Sequence, residues 1–220
     1  MRHVGSVYQD RRAAGRVLAG LLAGEGAPPP VVLALPRGGV PVAAVVADAL
    51  HAPLDVLVVR KIGAPGRPEL GLGAVAEDGE PVWDDAGLRV LRLVPADLAG
   101  TAAAEGAEVR RRVERYRRGA PAVPVTGRTA LVVDDGVATG GTALAALRLV
   151  RRRAPARVVL AVPVGAPAAL ARLQPHADEL VCPLAPDVFR AVGAWYADFD
   201  QTSDEEVEAL LTAAAARGDA

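Results

Sequence analysis

The sequence predicts an α/β fold in which helices flank a parallel sheet. Short apolar runs typical of buried strands alternate along the chain with segments whose apolar residues recur at helical spacing. The predicted strands are residues 31–35, 54–59, 73–76, 130–133, 157–162 and 178–182. A first predicted helix is capped by Asp10, and a last one begins at Ser203. Between them, helices are predicted at residues 40–50, 85–94, 96–118, 143–153 and 166–173. Strands and helices that alternate at this length build a parallel sheet with helices on both faces.

Length and composition indicate one domain. The chain has 220 residues, 51% of them hydrophobic but only 3% aromatic, so aliphatic side chains must fill the core. We expect a single domain over residues 1–220, with a core at about 10–182 and a small C-terminal tail at about 183–217. The sequence shows neither an apolar run of roughly 18 residues, as a membrane span requires, nor a signal peptide. With one cysteine and a net charge of −1, we expect a soluble cytoplasmic protein that binds neither nucleic acid nor membranes.

The stretch LVVDDGVATGGT at residues 131–142 has the features of a phosphate-binding loop. A buried strand leads into two carboxylates, Asp134 and Asp135, and then into a loop of small residues that runs into a helix. Backbone N–H groups of such a loop point into one concavity, and the helix N-terminus adds partial positive charge. The residues assigned to this cradle are Gly136, Val137, Ala138, Thr139, Gly140, Gly141 and Thr142.

The acidic pair calls for a ligand group other than phosphate, since two carboxylates would repel a phosphate. Asp134 and Asp135 can together accept hydrogen bonds from the two hydroxyls of a vicinal diol, which indicates a ribose 5-phosphate. The dipeptide Asp135-Gly136 between apolar runs could alternatively form a hairpin turn. A helical pattern follows in place of a second strand, so we favour the cradle. The glycine spacings of the common nucleotide-binding loops are not present.

A second strand–loop–helix unit carries Pro36, Arg37, Gly38 and Gly39. An arginine at a helix start, on a loop that can offer backbone N–H groups, suits a second anion. An ordinary turn with a solvated arginine is the alternative. We favour the anion site, because a ligand that carries a diphosphate needs two cradles.

Residues 62–72 follow Arg60 and Lys61 as a long loop rich in glycine and proline. A loop of this kind is either a connector or a lid. Lys61 is the only lysine of the chain, and Glu69 lies within the loop. We take these two residues and Arg60 as candidates for a lid over the site.

The motif DDGVATGGT at residues 134–142 resembles the phosphoribosyl pyrophosphate (PRPP) motif of the type I phosphoribosyltransferases. The resemblance runs from Arg11 to about Leu211, with residues 60–79 as a second specific mark, and it is nearest to a subgroup of unassigned acceptor. It implies a Rossmann-like parallel sheet flanked by helices, with a small hood or C-terminal subdomain. It also implies a pyrophosphate-binding loop at Arg37, often with a non-proline cis peptide, and a flexible catalytic loop at residues 62–72.

The activity that this resemblance implies is transfer of a 5-phosphoribosyl group from PRPP to a nitrogen nucleophile with release of pyrophosphate. Arg37, Gly38 and Gly39 would bind pyrophosphate with Mg²⁺, which is held through the substrate, and Lys61 would reach it when the lid closes. Glu69 is a candidate general base. Ala138 stands where enzymes for 6-oxopurines carry an aspartate, which argues against hypoxanthine and guanine as acceptors.

Three questions remain open at the level of sequence. Trp195 and Tyr196 either pin the tail to the core or stack on a planar base. The arginine run at residues 110–118 is either a nucleic-acid patch or, as its interleaved glutamates favour, a solvated helix face. The protein is either an enzyme or a regulator that binds PRPP without turnover. The family suggests a homodimer.

Overall fold

A computed structural model describes residues 8–24 and 28–218, except for the side chains of residues 68, 69 and 218. The strands are β1 (Val31–Ala34), β2 (Leu54–Val56), β3 (Arg60–Ala64), β4 (Arg67–Val75), β5 (Val82–Trp83), β6 (Thr129–Val133), β7 (Arg157–Ala161) and β8 (Glu179–Val181). The α-helices are α1 (Arg11–Leu22), α2 (Gly39–Ala49), α3 (Asp85–Leu91), α4 (Ala99–Arg117), α5 (Gly141–Arg152), α6 (Pro167–Leu173) and α7 (Asp204–Gly218). Short 3₁₀ helices cover Pro95–Leu98, Gln174–His176 and Val192–Trp195.

The central sheet is parallel, with the strand order β2-β1-β6-β7-β8. Every residue of β1 is buried, as the apolar run predicts for a strand covered on both faces. β1 and β6 are neighbours, and their last residues, Ala34 and Val133, pair with each other. The loops that follow these two strands therefore start side by side at one edge of the sheet.

Helices cover both faces of the sheet, which confirms the predicted α/β fold. On one face, α1, α2 and α7 contribute Leu18, Val42 and Val207 to a core of fully buried side chains. On the other face, Leu147 of α5 and Leu173 of α6 lie in a second core. In α1 the predicted cap is confirmed, since the Ala13 amide donates to Oδ1 of Asp10 at 2.6 Å.

The prediction of a long loop at residues 62–72 is wrong, because this segment forms a β-hairpin. β3 and β4 pair antiparallel, β5 adds a third strand, and Gly66 turns between β3 and β4 with φ of 70°. Ile62 and Leu72 are both buried, as are the alanines that flank them at alternate positions. This alternation is the period of a strand with one buried face, and it was present in the sequence. Burial of these side chains holds the hairpin against the protein.

The arginine run of α4 is only partly a solvated face, which corrects the prediction for Arg117. Arg111 has a 55% exposed side chain and pairs with Glu108 on its own helix, as expected. The side chain of Arg117 is 9% exposed, and it forms ion pairs with Asp55 of β2 and Glu77 after β4. Arg117 therefore ties the hairpin to the central sheet. Among the described residues, no helix combines the length and hydrophobicity needed to cross a membrane.

Candidate active site

The loop at Pro36–Gly39 contacts the acidic pair at the carboxyl ends of β1 and β6. A Cβ atom on Gly38 would lie 2.1 Å from Oδ2 of Asp135, and one on Gly39 would lie 2.8 Å from the carbonyl oxygen of Val133. Only glycine fits at either position without displacing its neighbour. The peptide bond between Pro36 and Arg37 is cis, as the resemblance implies for this loop. The structure therefore brings the loop at Pro36–Gly39 and the acidic pair together in one site.

The acidic pair is largely shielded from solvent, although not fully buried, and it is held by the protein. Oδ1 of Asp134 accepts from the amide of Asp135 at 2.9 Å, and Oδ2 of Asp135 accepts from Nε of Arg11 at 2.8 Å. Burial, reinforced by the charge of Asp135, raises the pKa of Asp134 well above its usual value. Burial also raises the pKa of Asp135, although the hydrogen bond and charge of Arg11 oppose the rise. One oxygen of each carboxyl group thus accepts from an N–H group of the protein, and the two side chains also interact with each other.

The loop after the acidic pair leads directly into α5, as the phosphate-cradle prediction requires. Val137 is buried, its amide donates to the carbonyl of Val164 at 2.9 Å, and its carbonyl accepts from Ala166 at 2.8 Å. Gly140 has φ of 75° and begins the helix, so a residue with a side chain would be strained there. The first amides of a helix have no partner within it, and they are available to an anion near Thr139 and Thr142.

Arg37 lies between the site and the C-terminal helix. Its Nη1 atom is 3.7 Å from Oδ1 of Asp204, the first residue of α7, and its side chain is 32% exposed. Arg115 and the Tyr116 hydroxyl also contact the Asp204 carboxylate, both at 2.6 Å. Asp204 therefore holds Arg37 near the site while the guanidinium stays open to solvent on one side.

A cavity of about 610 Å³ lies between the hairpin, α4 and the two cradles. Its lining includes Pro36, Arg60, Lys61, Thr101, Glu105, Arg112 and Thr142. Nε of Arg60 donates to Glu105 at 2.6 Å across this cavity. The hairpin therefore occupies the predicted place of the lid, although it is not a loop. The predicted residue Glu69 has its side chain outside the described part of the structure.

Sequence reasoning missed the residues that α4 and α1 contribute. The spacing of Thr101, Glu105 and Arg112, first four and then seven residues, puts them on one face of α4. Nothing in the sequence shows that this face lies against the hairpin. Arg11 contacts Asp135 from 124 residues away in the chain. A distance of this kind is visible only once the fold is known.

Trp195 and Tyr196 are buried, 8% and 5% exposed, which corrects the hypothesis that they stack on a planar base. The Tyr196 ring packs between Tyr8 and Phe199, with ring centroids 5.5 and 5.0 Å away. Its hydroxyl donates to the carbonyl oxygen of Asp135 at 2.6 Å. In this structure the aromatic segment therefore anchors the tail and supports the acidic loop from behind.

The donor set is compatible with Mg²⁺ held through a substrate. The described part of the chain contains no group of three or more His, Cys, Asp or Glu side chains that could hold a metal ion. Mg²⁺ usually keeps several waters and binds through one or two carboxylates and substrate phosphates. A diphosphate beside Arg37 and Lys61 would bring its own oxygen ligands for the ion.

Comparison with known proteins identifies the family. The family model described as the phosphoribosyl transferase domain matches residues 4–199. A protein of Mycobacterium tuberculosis H37Rv, named provisionally as a phosphoribosyl transferase, is 50% identical over 205 residues, which are 93% of this chain and 46% of the relative. The chain thus spans about half the length of the curated relatives it matches.

Two solved structures share the fold of this chain. A crystal structure from Thermus thermophilus is 50% identical, with a TM-score of 0.84 over 93% of this chain and 97% of that chain. A hypothetical protein of Neisseria gonorrhoeae, 16% identical over 96% of each chain, has a TM-score of 0.54 and shows the fold alone. Because the family model covers most of the chain, the protein belongs to the phosphoribosyl transferase family.

Proposed function

We propose that the protein transfers a 5-phosphoribosyl group from PRPP to a nitrogen nucleophile, a nucleobase or a related acceptor, and releases pyrophosphate. The contact between the loop at Pro36–Gly39 and the acidic pair carries this proposal. PRPP has a phosphate at one end, a diol in the middle and a diphosphate at the other end. The loop before α5, the acidic pair and the loop at Arg37 offer a matching group for each part, in contact with one another.

The chemistry requires stabilisation of a leaving diphosphate and of a sugar that becomes cationic. Arg37, the amides of Gly38 and Gly39, and Lys61 supply positive charge or N–H donors where the leaving group would develop charge. Oδ1 of Asp135 and Oδ2 of Asp134 would accept the ribose hydroxyls and hold the ring still. Mg²⁺, bound with the substrate, would offset the charge of the diphosphate. The hairpin would limit the access of water to the reactive sugar.

The loop before α5 lacks a side chain that could exchange a proton with the acceptor, and this narrows the choice of acceptor. Ala138 is exposed in the loop before α5 and has no group that could exchange a proton with a base. We therefore propose an acceptor other than hypoxanthine or guanine. Glu69 stays the candidate general base. Since Trp195 and Tyr196 are covered, other groups at the mouth of the site would hold the acceptor.

Calorimetric titration with PRPP and Mg²⁺ tests the proposal. The wild-type protein should bind in the micromolar range, and the double variant Asp134→Asn/Asp135→Asn should not. Absence of binding by the folded wild type would contradict the proposal. If binding is found, pyrophosphate release with a panel of bases and amines separates an enzyme from a PRPP-binding regulator. The cytoplasmic location, the role in nucleotide metabolism and the homodimer stay predictions.

A further inference from the structure

Arg11 joins three segments at the acidic pair. Its Nε donates to Oδ2 of Asp135 at 2.8 Å, and its Nη1 donates to the carbonyl oxygen of Asp200 at 2.7 Å. The guanidinium carbon lies 3.9 Å from the centre of the Phe199 ring. The side chain is 12% exposed, so these contacts are largely shielded from water. A guanidinium suits this place, because it can donate in two directions in one plane and stack on an aromatic ring at the same time.

The contact with Arg11 determines which oxygen of Asp135 can reach a ligand. Oδ2 is occupied by Arg11 and lies on the Gly38 side, where there is no room for even a methyl group. The main chain of Asp135 is fixed separately, since its carbonyl accepts from the Tyr196 hydroxyl at 2.6 Å. With its carbonyl and Oδ2 both held, Asp135 keeps Oδ1 as the oxygen that bonds to neither Arg11 nor Tyr196.

We infer that Arg11 is a positioning residue for the sugar-binding carboxylate, and that it couples the C-terminal segment at Phe199 and Asp200 to that carboxylate. This inference rests on the proposed function, in which Asp135 accepts a ribose hydroxyl. Arg11 itself does not touch the ligand. It fixes the side-chain rotamer of Asp135 and keeps a positive charge beside a buried carboxylate.

Few charged or titratable groups face Asp135, so the pKa of its carboxyl group is sensitive to the loss of Arg11. Asp134 lies next to it in the chain, Arg11 reaches it from α1, and Tyr196 faces it from the tail. The loop at Gly38 carries Arg37, whose guanidinium pairs with Asp204. Loss of the Arg11 guanidinium removes a positive charge and a hydrogen bond that both lower the Asp135 pKa, so burial then favours the protonated form more strongly.

The test compares Arg11→Gln with Arg12→Gln, an exposed arginine one residue further along the same helix. Two quantities are measured: the affinity for PRPP with Mg²⁺ by calorimetry, and the pKa of the Asp135 carboxyl by carbon-detected NMR without ligand. We expect Arg11→Gln to weaken PRPP binding at least tenfold and to raise the Asp135 pKa, and Arg12→Gln to stay within twofold of wild type. Equal affinity and equal pKa in the two variants would overturn the inference.

If Arg11→Gln does not fold, Arg11→Lys provides the test in its place. It keeps the charge but loses the planar fork, so PRPP binding should weaken at least threefold while the Asp135 pKa stays near that of wild type. Unchanged affinity in Arg11→Lys would overturn the positioning role. If wild type does not bind PRPP, the proposed function fails and the sugar-binding part of the inference fails with it, and the Asp135 pKa then decides whether Arg11 controls the charge of that carboxylate. A higher value in Arg11→Gln than in Arg12→Gln supports it, and equal values contradict it.

Discussion

Gly38 and Asp135 approach each other so closely that a side chain on residue 38 would overlap the carboxylate. A Cβ atom there would lie 2.1 Å from Oδ2 and 2.7 Å from Cγ of Asp135. The backbone of Gly38 itself is ordinary, with φ of −59° and ψ of −32°. Glycine is therefore required at this position because Asp135 leaves no room for a side chain. The loop that would bind a diphosphate thus packs directly against the residue that would bind the sugar.

Gly38→Ala should abolish high-affinity PRPP binding, because the new methyl group must push Asp135 out of its present rotamer. Since alanine adopts this backbone conformation readily, the effect is steric and confined to the site. Gly100→Ala is the matched control, as a Cβ there meets nothing within 4 Å. We expect at least a tenfold loss of affinity by calorimetry for Gly38→Ala and none for the control. Retained affinity in Gly38→Ala would show that Asp135 does not need its present position.

Asp134→Asn should stabilise the protein at neutral pH. In wild type the raised pKa keeps a proton on the folded carboxyl after the unfolded chain has lost its own at about pH 4. The folded state then binds more protons, so the free energy of unfolding falls as pH rises through this window. Asparagine has no such proton to lose. The variant should gain roughly 1.4 kcal/mol over wild type for each unit of the shift, with the gain appearing only above about pH 4.

Urea unfolding at a series of pH values between 4 and 8 measures this difference. Asp187→Asn, which replaces an exposed carboxyl, is the control and should give a difference that does not vary with pH. If the difference in the free energy of unfolding between Asp134→Asn and wild type does not change with pH either, Asp134 is not protonated in the folded protein.

The parts of the fold that the sequence predicts are those specified by local patterns. The alternation of buried strands and amphipathic helices is sufficient for the central sheet, and the motif at residues 134–142 is sufficient to predict a loop between a strand and a helix. The glycines and prolines between Ile62 and Leu72 predict a long loop where the structure has a hairpin, because these residue types occur in both loops and turns. A period-2 test of the flanking residues would have identified it.

The remaining features depend on contacts between distant segments. Arg11 and Asp135, or Arg117 and Asp55, are brought together only by the packing of helices against the sheet. No spacing in the sequence encodes such pairs. The burial of Tyr196 likewise follows from its contact with Tyr8, near the other end of the chain.

Arg117→Met should destabilise the protein by about 3 kcal/mol, since its removal leaves the buried Asp55 carboxylate without its counter-charge, whereas Glu77 keeps Arg153. Asp55 is 5% exposed and keeps only its backbone donors, Val56 and Val123, at 2.7 and 2.9 Å. Arg111→Met removes an exposed pair on the same helix and should cost clearly less stability than Arg117→Met, because solvent screens that pair. Urea unfolding compares the two variants. Similar costs would mean that the buried ion pairs add nothing beyond a surface pair.

Lys61→Met should weaken the binding of pyrophosphate at least tenfold and leave the fold intact. The stem of Lys61 crosses the hairpin beside Gly71, whose missing side chain leaves room for it; a Cβ on Gly71 would lie 3.1 Å from both Cγ and Cδ of the lysine. Methionine retains this apolar stem and removes only the ammonium group that lines the cavity with Arg60 and Arg112.

Arg67→Met is the control for Lys61→Met, because it removes one positive charge from an exposed position in the same hairpin. Calorimetric titration with pyrophosphate and Mg²⁺ should show a loss of affinity for Lys61→Met and a change within twofold for Arg67→Met. A long-range effect of net charge would weaken both variants equally and would shrink at high salt. If both lose the same affinity, Lys61 acts through the general field of the hairpin and does not contact the diphosphate. A loss specific to Lys61→Met that persists in roughly 0.5 M salt would place its ammonium group at the leaving group, as direct contacts are screened less than distant ones.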